Sequence, residues 1–149
     1  MMGSVSIDVS VEAFWRCWQR FASGKRRSPA FEHFRYHLEA NLRALSEETS
    51  GGRYRHGPYA TFTVHDPKTR LIAVAPLRDR LIHRLLYDEL VARFDRVFLH
   101  DVWSCRREKG LLRAIDRAQA FLRSFPASVI WRGDIARFFE SVDHARLLA

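Results

Sequence analysis

The chain has 149 residues, a formal net charge of +8 and a sequence pI near 10.3. Hydrophobic residues make up 47% and charged residues 28%, which excludes disordered, collagen-like and low-complexity chains. No apolar stretch approaches the roughly 20 residues that cross a bilayer, and the first residues lack the basic flank and apolar run of a secretory signal. Two distant cysteines, Cys17 and Cys105, provide no disulfide framework, so we expect a reducing, cytoplasmic setting and no membrane partner.

The basic excess comes almost entirely from arginine, because only three of the 25 cationic residues are lysine. Arginine presents a planar fork of donors that suits phosphate groups and stacks on bases. An arginine-rich surface also arises from codon usage in a GC-rich genome. The charge alone therefore leaves nucleic-acid binding and an ordinary basic surface as open alternatives.

Two helices are predicted at the start of the chain. Apolar residues recur at helical spacing after Ser10, a favourable N-cap, and this pattern ends near residue 22. Ser28 followed by a proline predicts the start of a second helix, which continues to about residue 48. The apolar faces of the two helices consist of Phe14, Cys17, Trp18, Phe21, Phe31, Phe34, Leu38, Leu42 and Leu45.

A β-hairpin and a long helix are predicted next. Residues alternate as in strands from Tyr59 to Ala75, with a turn at Asp66-Pro67-Lys68-Thr69 between the two runs. A proline at the first corner of such a turn is typical of a hairpin. Residues 77–94 then follow a helical pattern, whose inner side is formed by Leu81, Leu85 and Leu90.

The last third of the chain predicts a loop, two helices and one strand. A polar, arginine-rich loop covers residues 101–110, and a helix covers about residues 111–125. The apolar residues 129–131 predict a short strand, and a final helix follows with Asp143 near its cap. The order helix, helix, hairpin, helix, helix, strand, helix indicates an α+β fold.

The segment around Asp134 carries the strongest chemical signal. An apolar strand delivers this carboxylate at its end, and two aromatic residues and a second carboxylate follow at the start of a helix. A carboxylate in this position is a rigidly aimed oxygen ligand for a hard cation such as Mg²⁺. Taken alone, the same pattern also describes an ordinary connection between a strand and a helix.

The segment Asp134-Ile-Ala-Arg-Phe-Phe-Glu-Ser-Val-Asp-His resembles the first catalytic motif of prokaryotic reverse transcriptases. In that family, which includes group II intron, retron and diversity-generating retroelement enzymes, the usual form is Asp-Ile-Lys-x-Phe-Phe-x-x-Ile-Asp-His. Residues 65–83 resemble the fingers hairpin and its following helix, and residues 94–114 are similar to the next fingers motif. Residues 54–59 resemble the approach to that hairpin, so the ordered blocks cover the chain from about residue 54 onward.

The resemblance implies an RNA-directed DNA polymerase, a nucleotidyltransferase of retroelements. Its expected partners are an RNA template, a DNA or RNA primer and deoxynucleoside triphosphates. Its expected cofactor is a pair of Mg²⁺ or Mn²⁺ ions, with Asp134 as the bridging catalytic carboxylate and the Ile135 carbonyl as a further ligand. The implied fold is a fingers domain with the first strand and helix of a right-hand palm. We expect a helical extension over residues 1–57, fingers over 58–127 and an incomplete palm over 128–149.

The resemblance also implies nucleotide-binding residues. Lys68 and Arg70 match cations of the fingers hairpin that hold the phosphates of the incoming nucleotide. Phe139 matches the aromatic residue that crowds the sugar 2′ carbon, although one residue of the adjacent Phe138 and Phe139 pair is expected in a core. Weaker predictions, each balanced between contact with the template backbone and a structural ion pair, concern Arg78, Arg80 and Arg106.

One departure from the family pattern affects the expected activity. These polymerases need two further carboxylates from a Tyr-x-Asp-Asp hairpin, and the 149 residues contain no Asp-Asp pair. We therefore expect this chain alone to be inactive and to be an N-terminal fragment of a longer enzyme. The alternative is a non-catalytic, basic nucleic-acid-binding module derived from a reverse transcriptase.

Overall fold

The computed structural model describes residues 6–25 and 27–148, so part of the N-terminal stretch used to exclude a secretory signal lies outside the described residues. The chain divides into two compact units. The first ends at Phe98 and the second begins at Leu99, whereas the boundaries expected after residues 57 and 127 stay predictions. The elements are α1 (Val11–Ala22), α2 (Pro29–Tyr36), α3 (Leu38–Ser50), β1 (Ala60–Asp66), β2 (Lys68–Val74), α4 (Leu77–Phe94), a 3-10 turn (Asp95–Val97), α5 (Leu111–Ser124), α6 (Phe138–Ser141) and α7 (His144–Leu148).

The described residues form an α+β structure that is mostly helical and contains one two-stranded antiparallel sheet. This confirms the predicted fold class at the level of α+β. No helix in the described ranges combines the length and the apolar character of a membrane span.

Serine caps set the starts of α1 and α2, as predicted. The Ser10 hydroxyl accepts a 3.2 Å hydrogen bond from the Ala13 amide, and the Ser28 hydroxyl accepts one of the same length from the Phe31 amide. Each cap satisfies a backbone donor that has no partner within the first helical turn. Pro29 then occupies the first turn of α2, where its missing amide costs no helical hydrogen bond.

The core of the first unit lies between α1, α2, α3 and α4. Trp18 stacks on Phe31 and Phe34, with ring centroids 5.0 and 5.4 Å apart. Each large apolar side chain buried in this way contributes about 1.5–3 kcal/mol. The predicted apolar faces are confirmed, because the buried cluster consists of Phe14, Cys17, Trp18, Phe21, Phe31, Phe34, Leu42, Leu45 and Leu81, with Leu38 packed against it.

The predicted second helix is divided in two at His37. This residue has φ −102° and ψ 28°, outside helical geometry, and it separates α2 from α3. The Asn41 side-chain amide donates a 3.0 Å hydrogen bond to the Phe34 carbonyl, which would otherwise accept from the amide of Leu38 in a continuous helix. The prediction of a single helix to residue 48 was therefore wrong, although the apolar faces of α2 and α3 pack into the same core.

Helix α4 has the predicted bounds, but the prediction that three of its leucines face the core was wrong for one of them. Leu81 is fully buried and Leu85 packs against the core. Leu90 instead has 52% of its surface exposed. At about 100° per residue, five residues rotate the side chain roughly 140° from Leu85, so Leu90 lies on a different face of the helix.

The second unit has a different character, since none of its described residues is buried. Helix α5 agrees with its prediction to within one residue at its end. Residues 129–131 do not form the predicted strand, and Trp131 is 87% exposed. A strand requires hydrogen bonds to a neighbouring strand, and within the described residues β1 and β2 pair only with each other. The expected first palm strand is therefore absent here.

Asp143 caps the last helix, as predicted. Its Oδ1 accepts hydrogen bonds from the amides of Ala145 at 2.9 Å and Arg146 at 3.2 Å. These are the unpaired donors of the first turn of α7. Asp143 thus has a local structural role at the start of this helix.

Candidate nucleotide and nucleic-acid site

The β-hairpin presents two cations near its turn. In the antiparallel register Val64 lies opposite Arg70 and Asp66 lies opposite Lys68. Alternate residues of a strand share one face, so Lys68 and Arg70 lie on the same face of the hairpin. Both are exposed, and neither forms an ion pair with any described residue, including Asp66 across the turn. The hairpin confirms the two predicted strands and holds two cations exposed to solvent. The turn is tighter than the predicted four residues 66–69, because Asp66 pairs with Lys68 and only Pro67 lies between the strands.

A buried carboxylate fixes the segment that leads into this hairpin. Asp79, at the start of α4, has no exposed surface. Its Oδ1 accepts a 2.7 Å hydrogen bond from the Tyr54 hydroxyl, and its Oδ2 accepts a 2.9 Å bond from the Gly57 amide. A Cβ at Gly57 would lie 3.0 Å from Cγ of Pro76 and 3.1 Å from Asp79 Oδ2. A larger residue at position 57 would therefore have to displace the Pro76 ring or the Asp79 carboxylate by a few tenths of an ångström.

Arg78 belongs to the same network and has a structural role. Its guanidinium donates a 2.5 Å hydrogen bond to Oε2 of Glu48, and its Nε lies 3.6 Å from Asp79 Oδ1. It also lies over the Tyr54 ring, 5.6 Å from the centroid. Of the two roles predicted for Arg78, these contacts favour the structural ion pair, which links α4 to α3 and to the approach of the hairpin.

The electrostatics of the network agree with its geometry. The hydrogen bond and Coulomb attraction from Glu48 raise the pKa of Arg78 above its ordinary value. Burial, followed by the hydrogen bond to the Asp79 carboxylate, raises the pKa of Tyr54 well above its usual range. The Tyr54 hydroxyl therefore stays protonated near neutral pH and donates its hydrogen bond to Asp79.

The side chains of the other two weakly predicted residues, Arg80 and Arg106, also contact the rest of the protein. The Arg80 guanidinium lies over the ring of Phe21, 5.3 Å from its centroid. Arg106, in the second unit, donates hydrogen bonds to the carbonyls of Leu99 at 3.0 Å and Val102 at 3.2 Å. These two hydrogen bonds hold the loop before α5 together, so these contacts of Arg106 lie within the protein.

Asp134 lies in the second unit on an exposed segment between α5 and α6. Its Oδ1 accepts a 2.9 Å hydrogen bond from the amide of Ile135, which leaves Oδ2 free of any contact that the described residues provide. The Ile135 carbonyl that was predicted to join it belongs to a residue that is 65% exposed. Both groups are thus accessible from solvent.

The implied pair of divalent ions has an incomplete donor set in these residues. Within residues 6–25 and 27–148, no three His, Cys, Asp or Glu side chains lie close enough to hold one ion. Asp134 and the Ile135 carbonyl supply two oxygens, whereas two adjacent ions need several shared carboxylates. The described residues do not fit the ion pair by themselves, and we derive no catalytic step through it.

The predicted sugar-contacting residue, Phe139, is 87% exposed at the start of α6, and Phe138 beside it is 50% exposed. Their rings meet edge to face, with centroids 5.3 Å apart. The expectation that one of the two lies in a core was wrong for the described structure, because the second unit buries neither. Lys68 and Arg70 belong to the first unit, and Asp134, Ile135 and Phe139 to the second.

Sequence reasoning missed the role of Asp79 and Tyr54. Both lie inside segments that resemble fingers motifs, yet they are 25 positions apart, and no local pattern joins them. An aspartate in the first turn of a helix is usually an exposed favourable charge. Comparison with known proteins adds no relative: no protein-family model matches the chain, and no curated protein matches it.

Proposed function

We propose that this chain is the fingers and first palm segment of an RNA-directed DNA polymerase, and that it binds RNA through its first unit. The observation that supports this most is the hairpin, which holds Lys68 and Arg70 on one face without an acidic partner among the described residues. It lies at the position in the chain that the motif order predicts for the nucleotide-contacting fingers.

The charge of the chain supports an anionic partner. A net charge of +8 draws polyanions to the protein and speeds their association. Cations without ion-pair partners lose no protein contact when they bind a phosphate, so their contribution to binding is greater than that of paired cations. We therefore assign Lys68 and Arg70 to phosphate contacts, and Arg78 to the support of the hairpin.

Asp134 is the proposed catalytic carboxylate of the complete polymerase. Its accessible Oδ2 and the neighbouring Ile135 carbonyl are oxygen ligands of the type that Mg²⁺ prefers. The other two carboxylates of the proposed site belong to a Tyr-x-Asp-Asp motif, which these 149 residues do not contain. A non-catalytic RNA-binding module would use the same hairpin without this chemistry.

Binding of single-stranded RNA as a function of salt tests the proposal. Each phosphate neutralised on a single strand contributes about −0.7 to the slope of log K against log salt. Replacing both Lys68 and Arg70 by glutamine should reduce the magnitude of the slope by about 1.4 and weaken binding at low salt. Equal slopes for the wild type and this double variant would contradict the assignment.

The matched control replaces Arg35 and Arg43 by glutamine. Both are exposed, and each forms an ion pair with a glutamate on its own helix, to Glu32 at 2.7 Å and to Glu39 at 3.0 Å. This control removes the same net charge from helices α2 and α3 and leaves the hairpin unchanged. Its slope should change by less than half as much as that of the hairpin variant.

A further inference from the structure

Three aromatic rings stack beside the hairpin in the first unit, and we call His56, Tyr59 and His83 the ring stack. The His56 ring lies 4.8 Å from that of Tyr59 with an interplanar angle of 27°. It lies 5.2 Å from that of His83 with an angle of 20°. Two of these residues precede β1 and the third comes from α4, so the stack joins the approach of the hairpin to the long helix.

The central ring of the stack, His56, makes polar contacts with the backbone and with a buried carboxylate. The Nδ1 atom of His56 lies 2.6 Å from the Gly57 carbonyl and 3.8 Å from Oδ2 of Asp79. The Gly57 amide in turn donates to Asp79, which has no exposed surface. The central ring is therefore oriented by backbone and carboxylate contacts that exist before any ligand arrives. Such preorganisation lowers the entropic cost of binding.

The end of the stack is open to solvent. Tyr59 is 55% exposed, and among the described residues the one aromatic ring that its ring stacks on is that of His56. A large exposed aromatic ring with one face already stacked provides the other face to a flat, apolar partner. Tyr36 gives the contrast, because it is 85% exposed but meets His37 edge to face at 87°, so it extends no stack.

We propose that the ring stack binds a nucleobase of single-stranded RNA face to face on Tyr59. Every base has a π-face, so stacking of this kind tolerates any sequence and is a common mode of single-strand binding. The next residue, Ala60, begins the strand β1 of the hairpin that presents Lys68 and Arg70. Base stacking and phosphate contacts thus come from one continuous element. This inference rests on the proposed binding of RNA.

The test measures binding of a short fluorescent single-stranded RNA to the full chain by anisotropy. Tyr59→Ala should weaken binding about 5- to 100-fold, the range expected for one lost base–aromatic stack. Tyr59→Phe keeps the ring and should bind within about 2-fold of the wild type. Tyr36→Ala removes an exposed tyrosine outside the stack and should also bind like the wild type.

A second RNA that lacks bases along its length separates stacking from phosphate contacts. Wild type should bind this abasic RNA more weakly, and Tyr59→Ala should then cause less than a 2-fold further loss. Equal binding of normal and abasic RNA by the wild type, or equal losses for Tyr59→Ala and Tyr36→Ala, would overturn the stack while RNA binding itself stands. No binding of either RNA by the wild type would overturn both proposals.

Discussion

Replacing Tyr54 by phenylalanine removes one hydroxyl and tests the buried network that supports the hairpin. The lost contact is the 2.7 Å hydrogen bond to Oδ1 of Asp79, a carboxylate with no exposed surface. Hydrogen bonds to charged groups contribute about 1.5–3 kcal/mol. The Arg78 Nε lies 3.6 Å from Oδ1, too far to replace this hydrogen bond. We therefore expect the free energy of unfolding to fall by about 1.5–3 kcal/mol, with the fold intact.

Urea denaturation at 25 °C, followed by circular dichroism, measures this loss directly. Tyr36→Phe is the matched control, because that side chain is 85% exposed, and it should change the free energy of unfolding by less than about 0.5 kcal/mol. Amide hydrogen exchange adds a local measurement, since Gly57 donates to the other oxygen of Asp79. A Tyr54→Phe variant as stable as the control would refute the view that this network holds the approach to the hairpin.

The remaining predictions concern pH, a helix cap and the thiols. Folding raises the pKa of Tyr54, so the unfolded chain releases a proton above about pH 10 that the folded chain keeps. The unfolding free energy of the wild type should therefore fall more steeply than that of Tyr54→Phe as the pH rises beyond 10. Ser28→Ala should destabilise the chain by about 1 kcal/mol in a thermal melt, because the Phe31 amide loses its acceptor. Burial raises the pKa of Cys17 to about 11, so a thiol reagent at pH 7.5 should modify the exposed Cys105 first and Cys17 only on unfolding.

Local signals predicted much of the first unit. The serine caps, the turn proline and the helical spacing of apolar residues act within one or two turns of the chain. They predicted α1, the start of α2 and α4 correctly, and the two hairpin strands but not their tight turn. The same reasoning did not predict the break at His37. The break involves a hydrogen bond from the Asn41 side-chain amide to the Phe34 carbonyl, and the sequence is compatible with either a continuous or a divided helix. Local propensity does not distinguish these two states.

Contacts between distant residues were not predictable in the same way. The buried Asp79 accepts a hydrogen bond from Tyr54, which lies 25 positions earlier in the chain, and no local sequence pattern predicts this contact. Residues 129–131 show how a local pattern alone can mislead. They are apolar, as expected for a strand, but a strand forms only when a neighbouring strand supplies hydrogen bonds. The same distinction holds for the candidate site. The local pattern predicts that Lys68 and Arg70 belong to a hairpin, whereas the contacts of Arg78 and Arg106 depend on the residues that pack against their side chains in the folded chain.

Primer extension on an RNA template tests the polymerase assignment. It uses a polymerase in which these 149 residues are joined to the product of the encoding DNA downstream. We predict that this product contains a Tyr-x-Asp-Asp motif, and that Asp134→Asn lowers extension by at least about 100-fold with RNA affinity unchanged. Asp143→Asn, which alters the cap of α7 and its exposed ion pair with Arg146, should retain activity. An absent Tyr-x-Asp-Asp motif, or equal extension by wild type and Asp134→Asn, would contradict the polymerase assignment and leave a non-catalytic RNA-binding module.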